Sequence, residues 1–410
     1  MKKILIVDDD ASVLAIAKKR LATEAVETLT ANDGAEGLRL AMENRPDLII
    51  LDLMMPKMHG YTVVQEIRND PALRHIKILV TSAKTYSSDI ERALRLGADR
   101  YLNKPYNLQE FWDVVAELLG ERQGRFLVRF WGTRGSIATP GPNTVRYGGN
   151  TACTEVRCGE QLLILDAGTG IRPLGLVLMK EFGDRPIKGH IFVGHTHWDH
   201  IQGFPFFAPA FVAGNEFAIY SLRGAEKPLD KVFRGQMDGD YFPVLLSELK
   251  AKLTFCELES EVELGDTRIA YTFLNHPGLA VGFRITYNGR SLAYISDHET
   301  YGRLNPEAGH PNPLDMEIAR FAEHVDLLIC EAQYTEEEYE QRKGWGHSTF
   351  LDALERAAQA GVKRLAIFHH DPSHDDSFLD GIQESCQKII REQNHAFTCF
   401  LTQEGMSVEL

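Results

Sequence analysis

Cysteine is scarce in this chain. The six thiols, at 153, 158, 256, 330, 386 and 399, include no close Cys-x-x-Cys pair. That spacing argues against a zinc ribbon and a dithiol redox motif, and leaves reduced, mostly buried thiols as the expectation. Long apolar runs are missing as well. MKKILIVDDD offers only a short apolar run before its acids, too little for a secretion signal, and nothing nears the roughly 18 apolar residues of a membrane span. A cytoplasmic protein without a membrane partner is expected. Positive charge is also short: the net charge is -14, most of the excess lies beyond residue 121, and no Lys/Arg-rich insertion interrupts the chain. Such a surface repels long polyanions, so a nucleic-acid partner is not expected.

What remains is an ordinary folded composition, 44% hydrophobic and 25% charged over 410 residues, enough for two or three domains. Strand candidates KILIV, ETLTA, DLIILD, KILVTSA and DRYLN alternate with helical stretches near 12–24, 34–44, 87–96 and 108–120. DLIILD is apolar on both faces, as a central parallel strand must be. The repeat predicts a doubly wound α/β domain over 1–121, with a five-stranded parallel sheet and its site at the strand ends. Acids stand there. Asp8, Asp9 and Asp10 follow the first strand, Asp52 ends the third, Thr81 ends the fourth and Lys104 follows the fifth. Converging carboxylates repel unless a hard cation such as Mg²⁺ joins them, and one can then accept a phosphoryl group that the lysine and the threonine hydroxyl would hold.

IVDDD, LDLMMPKMHG, LVTSA and YLNKP, in that order, resemble the receiver domain of two-component response regulators. The resemblance implies Asp52 as phosphoacceptor and Asp8, Asp9 and Asp52 around Mg²⁺. It makes Asp10 a common third acid without an essential role, and Thr81, Tyr101 and Lys104 the switch residues. It also implies a sensor histidine kinase as partner.

GERQGR breaks the helical pattern and predicts a short linker at 122–125, followed by a second domain over 126–410. FLVRFWGTRGSI, TACTEVRC and QLLILDAG read as strands around the Gly/Pro-rich loop TPGPNTVRYGGN. In that loop region Arg134 or Arg146 is a candidate to meet an anionic substrate. The strand HIFVG then runs into HTHWDH. His195 and His197 can bend toward one metal, and Asp199 and His200, at a helix start, toward a second. Later apolar runs end in ligand types too: TRIAYTFLNH delivers His276, RSLAYISD delivers Asp297, and KRLAIFHH delivers His369 or His370. His298, His374 and Asp375 read as neighbouring polar groups.

HTHWDH resembles the HxHxDH signature of the metallo-β-lactamase fold, and His276, Asp297 and His369 follow in the order that superfamily requires. The resemblance implies an αββα sandwich. His195, His197 and His276 would hold one metal, Asp199, His200 and His369 the other, and Asp297 would bridge them. Imidazole and carboxylate suit two Zn²⁺, with Mn²⁺ or Fe as substitutes. Flavodiiron-type members of that superfamily read HxExDH, with glutamate where this chain has His197; histidine there points to hydrolysis instead of redox chemistry.

GWGHST, RGSI and YGGNT resemble the phosphodiesterase branch. That implies His347 at the phosphate and leaving oxygen, with Asp199 as its catalytic companion. The acidic balance then selects a small or cyclic phosphodiester. FPFFAPAFVAG is read equally as a wall for a base or as core, and 229–249 as a lid or a dimer contact, which leaves a homodimer open. Lactone, ester or thioester hydrolysis is the alternative, and a non-catalytic signalling scaffold the second.

Overall fold

A computed structural model describes residues 2–10, 14, 26–83, 86–106, 111, 114, 115, 117–120, 124–222, 227–305 and 312–410. The chain divides into two compact units, Met1–Gln123 and Gly124–Leu410. Apart from Leu14, the helix expected near 12–24 lies outside the described residues, as do residues 122 and 123 of the linker.

In the first unit β1 (Lys2–Val7), β2 (Val26–Ala31), β3 (Leu48–Asp52), β4 (Lys77–Ser82) and β5 (Arg100–Asn103) form one sheet in the order β2-β1-β3-β4-β5. All pairs are parallel. Alternation along the strands builds both faces. Leu5, Val7, Ile49 and Leu51 pack with Val63, Val64 and Ile67 of the helix Gly60–Asn69, while Ile4, Ile6, Leu48 and Ile50 face Phe111, Val115 and Leu119. The strand order reverses at β1 and β3, so their carboxyl ends flank a crevice. Gly60 lets its helix start against that crevice, because a Cβ there would lie 2.4 Å from the carbonyl oxygen of Asp52.

The second unit has two sheets, each mixed. One runs β11-β10-β9-β8-β7-β6-β19, from β6 (Phe126–Gly132), β7 (Cys153–Cys158), β8 (Gln161–Leu165), β9 (Lys188–Phe192), β10 (Glu216–Ser221), β11 (Lys252–Glu257) and β19 (Ser407–Glu409). The other runs β12-β13-β14-β15-β16-β17-β18, from β12 (Val262–Leu264), β13 (Thr267–Leu274), β14 (Ala280–Tyr287), β15 (Arg290–Ile295), β16 (Leu327–Glu331), β17 (Arg364–Phe368) and β18 (Thr398–Leu401). Phe130, Leu163, Leu165 and Phe192 of the first sheet meet Phe283, Tyr294, Ile329 and Phe368 of the second in a shared core. Outside the second sheet lie the helices Pro313–Phe321, Phe350–Ala360 and Asp376–Glu392. Outside the first lie Ile171–Phe182 and Leu229–Gln236. This is the four-layer αββα sandwich.

Phe204 and Phe207 of FPFFAPAFVAG are core under the first sheet, whereas Phe206 is exposed and packs edge-on against Phe242. Within 229–249, Leu229, Phe233 and Met237 are buried in the same core. Among the described residues no helix is long and apolar enough to cross a membrane.

Candidate metal centre

In the sandwich the strand ends converge as their apolar runs dictate. β9 leads to His195 and His197, the short helix Trp198–Ile201 carries Asp199 and His200, and β13, β15 and β17 lead to His276, Asp297 and His369. His195, His197, His276 and Asp297 form one group, and Asp199, His200, Asp297 and His369 a second. In each group one ligand atom per residue lies within 4.8 Å of the others. Asp297 belongs to both. Its Oδ2 is 3.5 Å from His195 Nε2 and 3.7 Å from His276 Nε2, while its Oδ1 is 3.2 Å from Nε2 of His200 and of His369. Asp199 Oδ2 sits 3.1 Å from His369 Nε2 and accepts the Ser136 N–H at 2.8 Å.

Both ring nitrogens of His195, Nε2 of His200 and Oδ1 of Asp297 are buried without hydrogen-bond partners. Buried polar atoms left this way are costly, and several facing one point fit a cation. Imidazole nitrogen with carboxylate oxygen suits zinc and its first-row neighbours. Electrostatics agree. Burial drives His195 far toward the neutral form. Burial works against the charge of Asp199 and Asp297, yet the surrounding histidines hold both well below the usual carboxylate range.

His370, the alternative to His369, turns away: its Nε2 contacts the Thr402 carbonyl at 2.9 Å. His369 adopts φ +64°, which swings it into the cluster, and its Nδ1 meets Gln333 Oε1 at 3.1 Å. His298 Nδ1 accepts the Asn275 N–H, His374 pairs with Glu338 at 2.8 Å, and Asp375 caps the helix Asp376–Glu392.

Of the two arginines, Arg134 or Arg146, the expectation fails for Arg134. Arg134 is fully buried and donates to the carbonyls of Gly148, Asp371 and His374, so it knits loops and meets no substrate. Arg146 makes a bidentate pair with Asp380.

His347 lies at the seam of the two groups, its ring 5.2 Å from those of His276 and His369. Burial pushes its pKa down to about 3, so the ring is neutral at ordinary pH. Sequence reasoning missed the carboxylate behind it. Glu331 ends β16, is fully buried, accepts the Ser348 N–H at 2.6 Å and lies 3.8 Å from His347 Nδ1. Burial, with Asp297 nearby, pushes its pKa far up. Asp166, Gln333 and Glu299 were missed too. LLICE and LLILD carry the same signal as the ligand strands, an apolar run ending in an acid, and that signal was available for Glu331 and Asp166.

In the first unit Asp8, Asp9 and Asp52 bring carboxylate oxygens within 4.8 Å of one another. Lys104 Nζ donates to Asp8 Oδ2 at 2.8 Å and stands 3.6 Å from Asp52 Oδ1. Burial raises the Asp52 pKa; Lys104 opposes that and the neighbouring acids add to it. Thr81 pairs in register with Asp52, and Tyr101 with Val80.

A doubly wound parallel sheet ending in three acids and a lysine defines a receiver, and an αββα sandwich with seven convergent ligand-type side chains defines a metallo-β-lactamase-fold domain. Residues 4–116 match the response regulator receiver domain and residues 163–370 the beta-lactamase superfamily domain, so the chain belongs to the beta-lactamase superfamily and carries an N-terminal receiver. It is 40% identical over 149 residues to the transcriptional regulatory protein PrrA of Mycobacterium tuberculosis, covering 36% of this chain and 57% of PrrA. It thus spans little more than half of that relative. The polar-differentiation response regulator DivK of Brucella anthropi is 31% identical over 120 residues, 29% of this chain and 98% of DivK. Among solved structures, the metallo-beta-lactamase fold protein YhfI of Bacillus subtilis is 18% identical with a TM-score of 0.49, covering 70% of this chain and 100% of YhfI.

Proposed function

We propose that the chain is a response regulator whose output is a dinuclear-metal hydrolase of small or cyclic phosphodiesters, under the control of Asp52 phosphorylation. The observation that carries the phosphodiester reading is His347, a buried imidazole touching one histidine from each ligand group. His195, His197 and His276 would hold one ion, Asp199, His200 and His369 the other, and Asp297 both. Zinc is the favoured metal. Such a pair supplies a hydroxide near neutral pH and neutralises charge on phosphate oxygens.

The side chains do the rest. Asp199, fixed by the Ser136 N–H and His369, offers a carboxylate to orient the attacking water. His347, neutral in the free protein, serves as a hydrogen-bond donor to the phosphate and leaving oxygen; the negative charge of a bound phosphodiester beside the ring favours its protonated form. In the receiver Asp8 and Asp9 would hold Mg²⁺ beside Asp52, a sensor histidine kinase would donate the phosphoryl group, and Thr81, Lys104 and Tyr101 would read it. The working division is 1–121, a linker at 122–125 and 126–410.

The test is metal content together with turnover of bis(p-nitrophenyl) phosphate by wild type, His197→Ala and His347→Ala. Two metals per chain, turnover lost in His197→Ala, and a drop of about 10²- to 10⁴-fold in His347→Ala with metal retained is the expected result. Two metals without phosphodiester turnover moves the substrate to esters, lactones or thioesters. A chain that takes up no metal is a signalling scaffold.

A further inference from the structure

The loop that carries His347 is held by a carboxylate outside both ligand groups. Glu299 is 2% exposed. Its Oε1 accepts the Tyr339 hydroxyl at 2.7 Å and the Gly344 N–H at 2.8 Å, and its Oε2 accepts the Gly346 N–H at 2.8 Å. Its main chain is tied as well. The Glu299 N–H donates to the Asn275 carbonyl, and Asn275 Nδ2 donates back to the Glu299 carbonyl, each at 2.8 Å. One residue therefore joins three segments: 275–276 with His276, 297–299 with Asp297, and 344–347 with His347.

The loop acts on His276 directly. Its Nδ1 lies 2.9 Å from the Gly346 carbonyl oxygen. A carbonyl only accepts, so Nδ1 donates to it and Nε2 is the ring atom turned to the cluster, 3.0 Å from His197 Nδ1 and 3.7 Å from Asp297 Oδ2. Glycine is required at 346 for two reasons. Its φ is +90°, and a Cβ there would lie 2.3 Å from His276 Nδ1.

We propose that Glu299 is the positioning residue of the centre: by gripping the 344–346 backbone it fixes the tautomer and direction of His276 and seats His347. This rests on reading the cluster as a metal centre. Groups behind a metal-bound histidine commonly change metal affinity 10- to 100-fold when removed. In Glu299→Gln an amide N–H₂ replaces one acceptor and faces a backbone donor, so the loop loses its grip while the side-chain volume is kept.

The experiment uses the full chain and reads metal affinity by competition with a chromophoric chelator, beside circular dichroism, thermal melting and bis(p-nitrophenyl) phosphate kinetics. In Glu299→Gln one of the two metals should be lost at 10- to 100-fold lower chelator concentration, the other should stay, and kcat should fall more than KM changes. Gly346→Ala, which pushes on His276 from the loop side, should weaken the same metal. It decides the matter if Glu299→Gln fails to fold. Two metals at wild-type affinity in either folded variant overturn the inference alone. Equal weakening of both metals with a broadened melt also overturns it, since that is a general structural role. A wild-type chain that binds no metal overturns the metal-centre reading and the inference with it.

Discussion

Asp166 Oδ2 lies 2.8 Å from Nδ1 of His200, with both side chains fully buried. The same carboxylate accepts the Gly194 N–H at 2.8 Å and the Tyr294 hydroxyl at 2.6 Å. The Nδ1–H of His200 points at that carboxylate, which leaves Nε2 as the ring atom turned toward Asp199 and Asp297, 3.3 and 3.2 Å away. Asp166→Asn keeps the shape, and asparagine tolerates the φ of +61° found there. It should weaken metal retention about 10- to 100-fold and lower stability by roughly 1–3 kcal/mol. Chelator competition and a denaturant melt on the same protein check both.

Asp52 is the carboxylate with Lys104 and two acids around it. Incubation with acetyl phosphate and Mg²⁺ should add one phosphoryl group per wild-type chain and none to Asp52→Asn. Removing Mg²⁺ with EDTA should abolish labelling of the wild type. Phosphate-affinity electrophoresis reads each case, and label in Asp52→Asn would point to a different acceptor.

Glu155 supplies a pH dependence outside both histidine–aspartate groups. It is almost fully buried, accepts Arg157 Nε at 2.6 Å and Trp131 Nε1 at 2.8 Å, and has Arg129 nearby. Burial would raise its pKa, but the two arginines and these hydrogen bonds outweigh burial and lower it. A depressed folded pKa contributes stability that is present above the unfolded value of about 4.3 and is lost as pH falls through the folded pKa. At pH 7 Glu155→Gln should be roughly 3 kcal/mol less stable, since it breaks a buried pair. Urea melts from pH 7 downward should show that gap narrowing below about pH 4.3, and a constant gap would refute the linkage.

All six cysteines are free, and only Cys256 is not fully buried. Burial raises the thiol pKa of Cys153, Cys158 and Cys330. Alkylation of the native protein should therefore mark Cys256 first, with the other five reacting only after unfolding. Intact-mass measurement over a time course counts them.

The readable parts of this chain share one physical cause. A parallel strand buried on both faces must be an apolar run, and the residue after it emerges at the site; DLIILD to Asp52, HIFVG to His195 and RSLAYIS to Asp297 all follow that rule. The unreadable parts depend on which way one side chain turns. In KRLAIFHH only the order after the strand favours His369 over His370; the left-handed backbone at His369 turns it into the cluster. Arg134 looks like an anion-binding residue because a cation beside glycines suggests a phosphate, yet its partners are three carbonyls distant in sequence. Glu299 stands in SDHET without any strand-end signal, and its meaning comes only from the 344–346 backbone folded against it.

Asp297 has a consequence for supply. Ligands to the two groups come from both sheets, β9 on one side and β13, β15 and β17 on the other, and a single carboxylate sits in both groups. Ions held there would rivet the sandwich shut, and a ligand that binds only the folded state adds about 4 kcal/mol at a thousand times its dissociation constant. Scarcity of the ion would then weaken the fold as well as the site: a chain without it would open more often and offer its unfolded form to proteases sooner.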